Sequence, residues 1–159
     1  MAAAGKLERL WIDAQESCLR RMDRLRAGAR RAAPTAPHLA TGLLGERAAL
    51  FELRRRGIIV VARRWTSPRS RGDVDLIGWD GDCLCFIEVK TRTARDLSPA
   101  EAEVDSHKRS MLRGLARAYL RTFPASQRDT IPIRFDVVSV YALGKTTEFD
   151  FFENAFGWT

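Results

Sequence analysis

Asp75, Glu88 and Lys90 carry charge where a protein core would ordinarily allow none. They lie in Gly72-Asp73-Val74-Asp75-Leu76-Ile77 and Phe86-Ile87-Glu88-Val89-Lys90-Thr91-Arg92, stretches otherwise rich in Val, Ile, Leu and Phe. A charged side chain inside a core strand is costly unless it is paired, binds a metal or takes part in chemistry. Two carboxylates at one point repel each other. They coexist most easily around a hard divalent cation such as Mg²⁺ or Mn²⁺, which prefers oxygen ligands. A lysine on the same face could orient or help deprotonate a water, or neutralise a phosphate. Together these groups are the equipment of metal-assisted phosphodiester hydrolysis. The same residues also fit a Glu88–Lys90 or Asp73–Lys90 ion pair at a strand end.

The positioning elements follow from the pattern. Residues 74–77 and 84–89 read as strands. Trp79-Asp80-Gly81-Asp82 lies between them, and Asp-Gly between apolar runs signals a hairpin. With Asp80 and Gly81 as the turn, Trp79 pairs with Asp82, Ile77 with Leu84, Asp75 with Phe86 and Asp73 with Glu88. Period-two alternation then puts Asp73, Asp75, Glu88 and Lys90 on one face at one end. Asp75 becomes a diagonal neighbour of Glu88, within reach of a shared cation. Val74, Leu76, Ile87 and Val89 fall on the other face. Both faces are apolar over much of their length, as expected of central strands covered on both sides. A one-residue slip would undo this facing.

An acid followed at a distance by Glu-x-Lys on a hairpin resembles the core motif of the PD-(D/E)XK superfamily, the restriction-endonuclease-like fold. More closely, the chain resembles the YraN-like family of uncharacterised bacterial endonuclease-like proteins. Five ordered pieces carry the likeness: Gly42-Leu43-Leu44-Gly45-Glu46-Arg47-Ala48-Ala49, the two hairpin strands, Arg134-Phe135-Asp136-Val137-Val138, and Glu153-Asn154-Ala155-Phe156. They span about residues 40–156. The resemblance implies an α/β fold, a mixed central sheet flanked by helices, preceded here by an extra N-terminal helix. It implies a Mg²⁺- or Mn²⁺-dependent nuclease acting on DNA, at branched or single-stranded structures among others. Asp75 and Glu88 would hold the metal with the Val89 carbonyl, Lys90 would position the attacking water, and Glu46 would assist as a further acid. Lys108 occupies a family-matching lysine position and could contact a substrate phosphate. Asp73 stands where the family usually has Glu, which leaves it outside the core site. The alternative is a non-catalytic nucleic-acid-binding module of the same fold, acting with a DNA-processing partner.

Composition agrees with a polyanionic partner. The chain has 159 residues and a formal net charge of +7, with a pI near 10.0. A strongly basic small domain attracts nucleic acid. Seven arginines, Arg54, Arg55, Arg56, Arg63, Arg64, Arg69 and Arg71, occur between Leu53 and Gly72 without an acid, and Arg92 and Arg95 follow the hairpin. Of these, Arg63, Arg64, Arg69, Arg71 and Arg92, with Lys108, are the candidates for a basic rim around the acidic centre. Asp136 reads as structural, paired with Arg134 or a rim arginine.

The remaining elements are an N-terminal segment 1–33 with a basic amphipathic helix over residues 6–31, and a linker at 34–40; the resemblance implies a restriction-endonuclease-like nuclease domain at 41–159. A second helix is expected from Thr41 as N-cap to Gly57 as stop. A strand at 58–65 and a loop at 66–71 follow. A helix capped at Ser98 and Glu101 runs to about residue 121, with a break near Ser106. Strands at 132–141 and 149–152 close the chain. Gly42 and Gly45 in a helix start suggest close approach of another backbone or a phosphate. Cys18, Cys83 and Cys85 offer no zinc spacing, and Cys83 and Cys85 read as small apolar residues suited to a reducing cytoplasm. No signal peptide or membrane span is apparent. The apolar stripe of the N-terminal helix, Leu7 to Leu25, must bury against the domain, a second copy or a protein partner.

Overall fold

The computed structural model describes residues 11–18, 21, 37–92, 104–143 and 146–158, without the side chains of 37–40 and 143. Helical residues 11–18 form α1. There follow α2 (Pro37–Arg55), β1 (Ile59–Ser67), β2 (Ser70–Asp80), β3 (Cys83–Arg92), α3 (Ser106–Leu120), a short α4 (Ala125–Arg128), β4 (Ile133–Leu143) and β5 (Thr146–Phe156). The five strands form one sheet in sequence order. All neighbours are antiparallel except β3 and β4, which run parallel. A parallel pair needs a crossover, and α3 lies within it. This is the expected mixed α/β arrangement of the restriction-endonuclease-like fold, with a helix ahead of it.

Both faces of the sheet are covered. Under α3, Leu112, Leu115 and Ala116 pack on Val74, Ile77, Leu84, Phe86 and Phe135. Under α2, Ala49 and Leu53 pack on Leu76, Cys85, Ile87, Val138 and Val140. Each fully buried Leu, Ile or Phe contributes about 1.5–3 kcal/mol of transfer free energy. Burial on both faces explains why β2 and β3 are continuously apolar.

Several boundaries differ from the sequence expectation. α2 begins at Pro37, inside the expected linker, not at Thr41. Proline is favourable in a first helical turn because its missing N–H would have no partner there. The stop is as expected. Gly57 takes φ 90°, the Ile58 amide donates to the Leu53 carbonyl (3.0 Å) and the Gly57 amide to that of Arg54 (3.0 Å). That pair of bonds is a Schellman closure. Residues 66–71 are not a loop: Ser67 pairs with Ser70 across a tight Pro68-Arg69 turn. β5 is longer than residues 149–152. The Ser98 capping box and Arg95 lie outside the described residues. The described helix starts at Ser106, where the Asp105 carboxylate accepts the Lys108 amide at 2.7 Å.

The hairpin register also differs. Asp80 pairs with Cys83, Trp79 with Leu84, Ile77 with Phe86 and Leu76 with Ile87. The turn is therefore Gly81-Asp82, with Gly81 at φ 58°. A positive φ at the first turn position is what a type II′ hairpin requires. The shift of two residues preserves which residues share a face from Leu76 to Asp80, and the paired register ends at Leu76↔Ile87.

Of the expected N-terminal helix, residues 11–18 and 21 are helical; the rest, and linker residues 34–36, lie outside the described residues. α1 docks on the domain. Ile12 is buried, Arg54 donates to Gln15 at 3.1 Å, and Arg55 donates to Asp13 at 2.8 Å and also to Glu16. Arg56 pairs with Glu52 at 3.0 Å. The first three arginines of the basic run thus bind acids and amides of α1 and α2.

Candidate functional site

Alternation fails at several places in the sheet, and one of them holds Asp75. On β2, Ile77 and Val74 both join the core under α3, while Leu76 joins the core under α2. Val74 was expected beside Leu76 and is not. On β1 the same slip occurs: Ala62 and Trp65 both pack under α3. The paired positions skip from Arg63↔Leu76 to Trp65↔Val74. Between them stand Arg64 and Asp75, with Arg64 at φ 45°. A left-handed non-glycine residue re-aims a strand at some local cost. Both strands change phase there together, so Arg63 and Arg64 are both exposed.

The change of phase frees the Asp75 carboxylate for a backbone group. The β2–β3 register runs from Asp80↔Cys83 to Leu76↔Ile87. Beyond it the Val89 amide donates to Asp75 Oδ2 at 2.7 Å. Val89 thus enters the site through its N–H.

Glu88 is buried, at 4 % exposure. Two ammonium groups meet its carboxylate: Lys90 Nζ lies 3.3 Å from Oε1 and Lys108 Nζ lies 2.9 Å from Oε2. The Glu88–Lys90 ion pair that the spacing allowed is therefore present. Lys108 comes from the first turn of α3, where the Asp105 cap fixes it. Burial pulls the Lys108 ammonium down, but its bond to Glu88 and the charges of Glu88, Asp75 and Asp73 outweigh that, and its pKa is raised.

Asp75 is the most perturbed acid here. Burial and the neighbouring Glu88 charge push its carboxyl up to about 7, against the Val89 amide and Lys108. Glu46, on α2, is also raised, first by burial, then by Asp73 and Glu88, with Arg64 and Arg63 opposing. Its Oε2 is buried without a hydrogen-bond partner among the described residues. Gly45 allows α2 to come this close: a Cβ there would meet Thr91 Oγ1 at 1.8 Å. The expected close approach is to a side chain of β3. Gly42 has open space around it.

The remaining candidates divide. Asp73 faces Arg64, Nε to Oδ2 3.4 Å. Arg63, Arg64, Arg69 and Arg71 are exposed on the β1–β2 hairpin. Arg92 is not a rim residue. It is 8 % exposed, on a stretch of β3 still paired with β4 through Arg92↔Tyr141. Asp136 is structural, as expected: it accepts Arg134 Nε at 2.8 and 3.0 Å and the Asn154 amide at 2.8 Å. Arg134 also reaches Asp80 at 3.0 Å. Sequence reasoning passed over the arginines of α3, although their four-residue spacing was legible.

The donor set suits a hard cation. Mg²⁺ keeps several waters and binds through one or two carboxylates. Asp75 and Glu88 supply two, and their mutual repulsion, visible in the raised Asp75 carboxyl, is what a bound cation relieves. Among the described residues, no group of three or more His, Cys, Asp or Glu is placed to share a metal. Glu46 therefore stands near the pair without completing a three-carboxylate cage. No helix among the described residues is long and apolar enough to cross a membrane.

The model of the uncharacterised protein family UPF0102 matches residues 45–140. A UPF0102 protein of Koribacter versatilis is 47% identical over 119 residues, covering 75% of this chain and 80% of the relative. One of Solibacter usitatus is 44% identical over 99 residues, 62% of this chain and 73% of that protein. One of Dictyoglomus thermophilum is 38% identical over 118 residues, 72% and 95% respectively.

Proposed function

The chain belongs to the uncharacterised protein family UPF0102, and from that premise and the site geometry we propose that it is a Mg²⁺- or Mn²⁺-dependent nuclease hydrolysing phosphodiester bonds in DNA. One observation carries this reading: Asp75 and Glu88 converge where the sheet changes phase, with Lys90 and Lys108 both within 3.3 Å of the Glu88 carboxylate. The exposed arginines of the β1–β2 hairpin give a phosphate backbone a reason to arrive.

Asp75 and Glu88 would hold the cation. Bound there, it supplies Lewis-acid activation of the phosphodiester and of water. The Val89 amide holds the Asp75 carboxylate in one orientation. The Glu88 carboxylate holds the two lysines at the same point. Lys90 would orient the attacking water, and Lys108 would neutralise charge developing on the phosphate. Glu46, half-buried with an oxygen that has no hydrogen-bond partner among the described residues, would accept a proton.

The test is cleavage of duplex, single-stranded, flap and four-way DNA with Mg²⁺ and Mn²⁺. Asp75→Ala should lose cleavage and retain its fold, and Lys90→Ala should lower kcat about 10²–10³-fold. A folded Asp75→Ala that cleaves at the wild-type rate would sink the assignment. The second reading, a non-catalytic nucleic-acid-binding module, is favoured by the same two ion pairs, since they already neutralise Glu88. Calorimetric Mn²⁺ titration separates the readings. Wild type should bind and Glu88→Gln should not; no binding by wild type with DNA present favours the module.

A further inference from the structure

Arginine recurs at every fourth position along α3 and its cap: Arg109, Arg113, Arg117 and Arg121. That spacing keeps them on one helical face. Three are held in place. Arg109 Nε donates to the Val104 carbonyl at 2.6 Å and its guanidinium lies 5.7 Å from the Phe156 ring centroid. Arg113 Nε donates to the Gly157 carbonyl at 2.8 Å and also lies 5.7 Å from Phe156. Arg117 lies over Trp158 at 5.2 Å. The row starts beside Lys108, which touches Glu88. It runs away from the site for about 20 Å at 1.5 Å per residue.

Stapling the C-terminal strand to α3 accounts for Arg109 and Arg113. It does not account for the far end of the row. There Arg117, Arg121 and Arg128 gather with Leu120, Asp129 and Trp158 around an open cavity of about 540 Å³. Arg128 Nη2 donates to the Phe123 carbonyl at 3.2 Å, and its Nε is buried with no hydrogen-bond partner among the described residues. Trp158 is 37 % exposed and Leu120, also lining the cavity, is buried. Three guanidinium groups against one carboxylate suit an anion. An apolar floor with an indole suits a flat ring. A nucleotide has both. In duplex DNA the bases are stacked inside and cannot enter such a cavity, whereas an unpaired base can lie between an indole and a guanidinium plane.

We propose that the α3 arginine row and the Trp158 cavity form a binding track for single-stranded nucleic acid, leading between the carboxylate site and the C-terminal end of α3. The track rests on the nuclease reading only for the direction in which its strand runs. Prepositioned guanidinium groups reduce the side-chain ordering that binding would otherwise require.

The test uses the full chain in EDTA, so that no cleavage occurs. Fluorescence anisotropy with labelled oligothymidylate is read as a function of salt. Wild type should bind. Arg117→Gln/Arg121→Gln should weaken binding and reduce the log–log salt slope by about 1.4, from ~0.7 for each phosphate no longer neutralised. Trp158→Ala should weaken binding by about 5- to 150-fold, and Trp158→Phe should restore much of it. Thermal melting of each variant separates a local effect from unfolding. The track is overturned if wild type does not bind the oligonucleotide, if the double variant keeps the wild-type slope, or if blunt duplex loses as much affinity as the single strand. Cleavage by wild type with an unchanged slope in Arg117→Gln/Arg121→Gln rejects the track and leaves the nuclease reading. The converse, a changed slope without cleavage, rejects the nuclease and leaves the track.

Discussion

Asp75 holds its charge against two opponents, burial and Glu88, with the Val89 amide and Lys108 on its side. Its carboxyl lies near 7 where an ordinary aspartate lies near 3.8. A raised acid binds its proton more tightly folded than unfolded. The metal-free protein should therefore lose stability as pH rises from about 4 to about 7, and lose no more from this group above that. Melting temperature in EDTA should fall between pH 5 and pH 8, and Asp75→Asn should flatten the fall. In the proposed nuclease a divalent cation would compete with the same proton, so cleavage should rise with pH through about 7. Asp75 and Glu88 were legible as a pair because charge in apolar strands is conspicuous. The Glu88–Lys90 pair was legible in the same spacing; the Lys108 contact with Glu88 was not, since Lys108 arrives through a crossover that no local pattern measures.

At the scale of elements, α2 and the hairpin show what spacing can and cannot decide. Asp80-Gly81 and Gly81-Asp82 are both good hairpin dipeptides. The structure uses the second, with Asp80 kept in its strand by Arg134 at 3.0 Å. That contact lies far along the chain and could not be read locally. The facing of Glu88 and Lys90 holds in either register because the two differ by an even number of residues. Val74 leaves its expected face because a left-handed residue on the neighbouring strand, Arg64, shifts the phase. The two glycines of α2 separate by the same reasoning about neighbours. Gly45→Ala should cost about 1–3 kcal/mol by overpacking on Thr91, and Thr91→Ala should restore part of it. Gly42→Ala, in open space, should stabilise by about 0.5–1 kcal/mol. Chemical denaturation of the three variants checks this, and equal destabilisation by both glycine changes would contradict the close approach at Thr91.

For the molecule as a whole, basic charge is apportioned to different tasks. Arg54 and Arg55 tie α1 to α2, Arg56 pairs with Glu52 within α2, Arg134 ties the hairpin end to β4 and β5, and Arg63, Arg64, Arg69 and Arg71 remain exposed on the β1–β2 hairpin. Arg69→Gln/Arg71→Gln should reduce the salt slope of duplex DNA binding by about 0.9 for each phosphate no longer neutralised. Its melting temperature should stay close to wild type, since exposed surface positions contribute little to folding. Arg55→Ala should lower the melting temperature with little change in that slope.

The parallel pairing of β3 with β4 has a consequence for how the chain reaches this state. β1, β2 and β3 are joined by two tight turns and can associate early. β4 can join only after the whole crossover, with α3, has been laid across the sheet. Non-local pairing of this kind is slow. Until it happens, one edge of β3 from Leu84 to Val89 is an uncovered, almost wholly apolar strand, the sort that pairs with strangers. Refolding yield should fall as protein concentration rises, and light scattering during dilution from denaturant should report it. Glu88, the one charge in that stretch, interrupts the edge that another chain would extend.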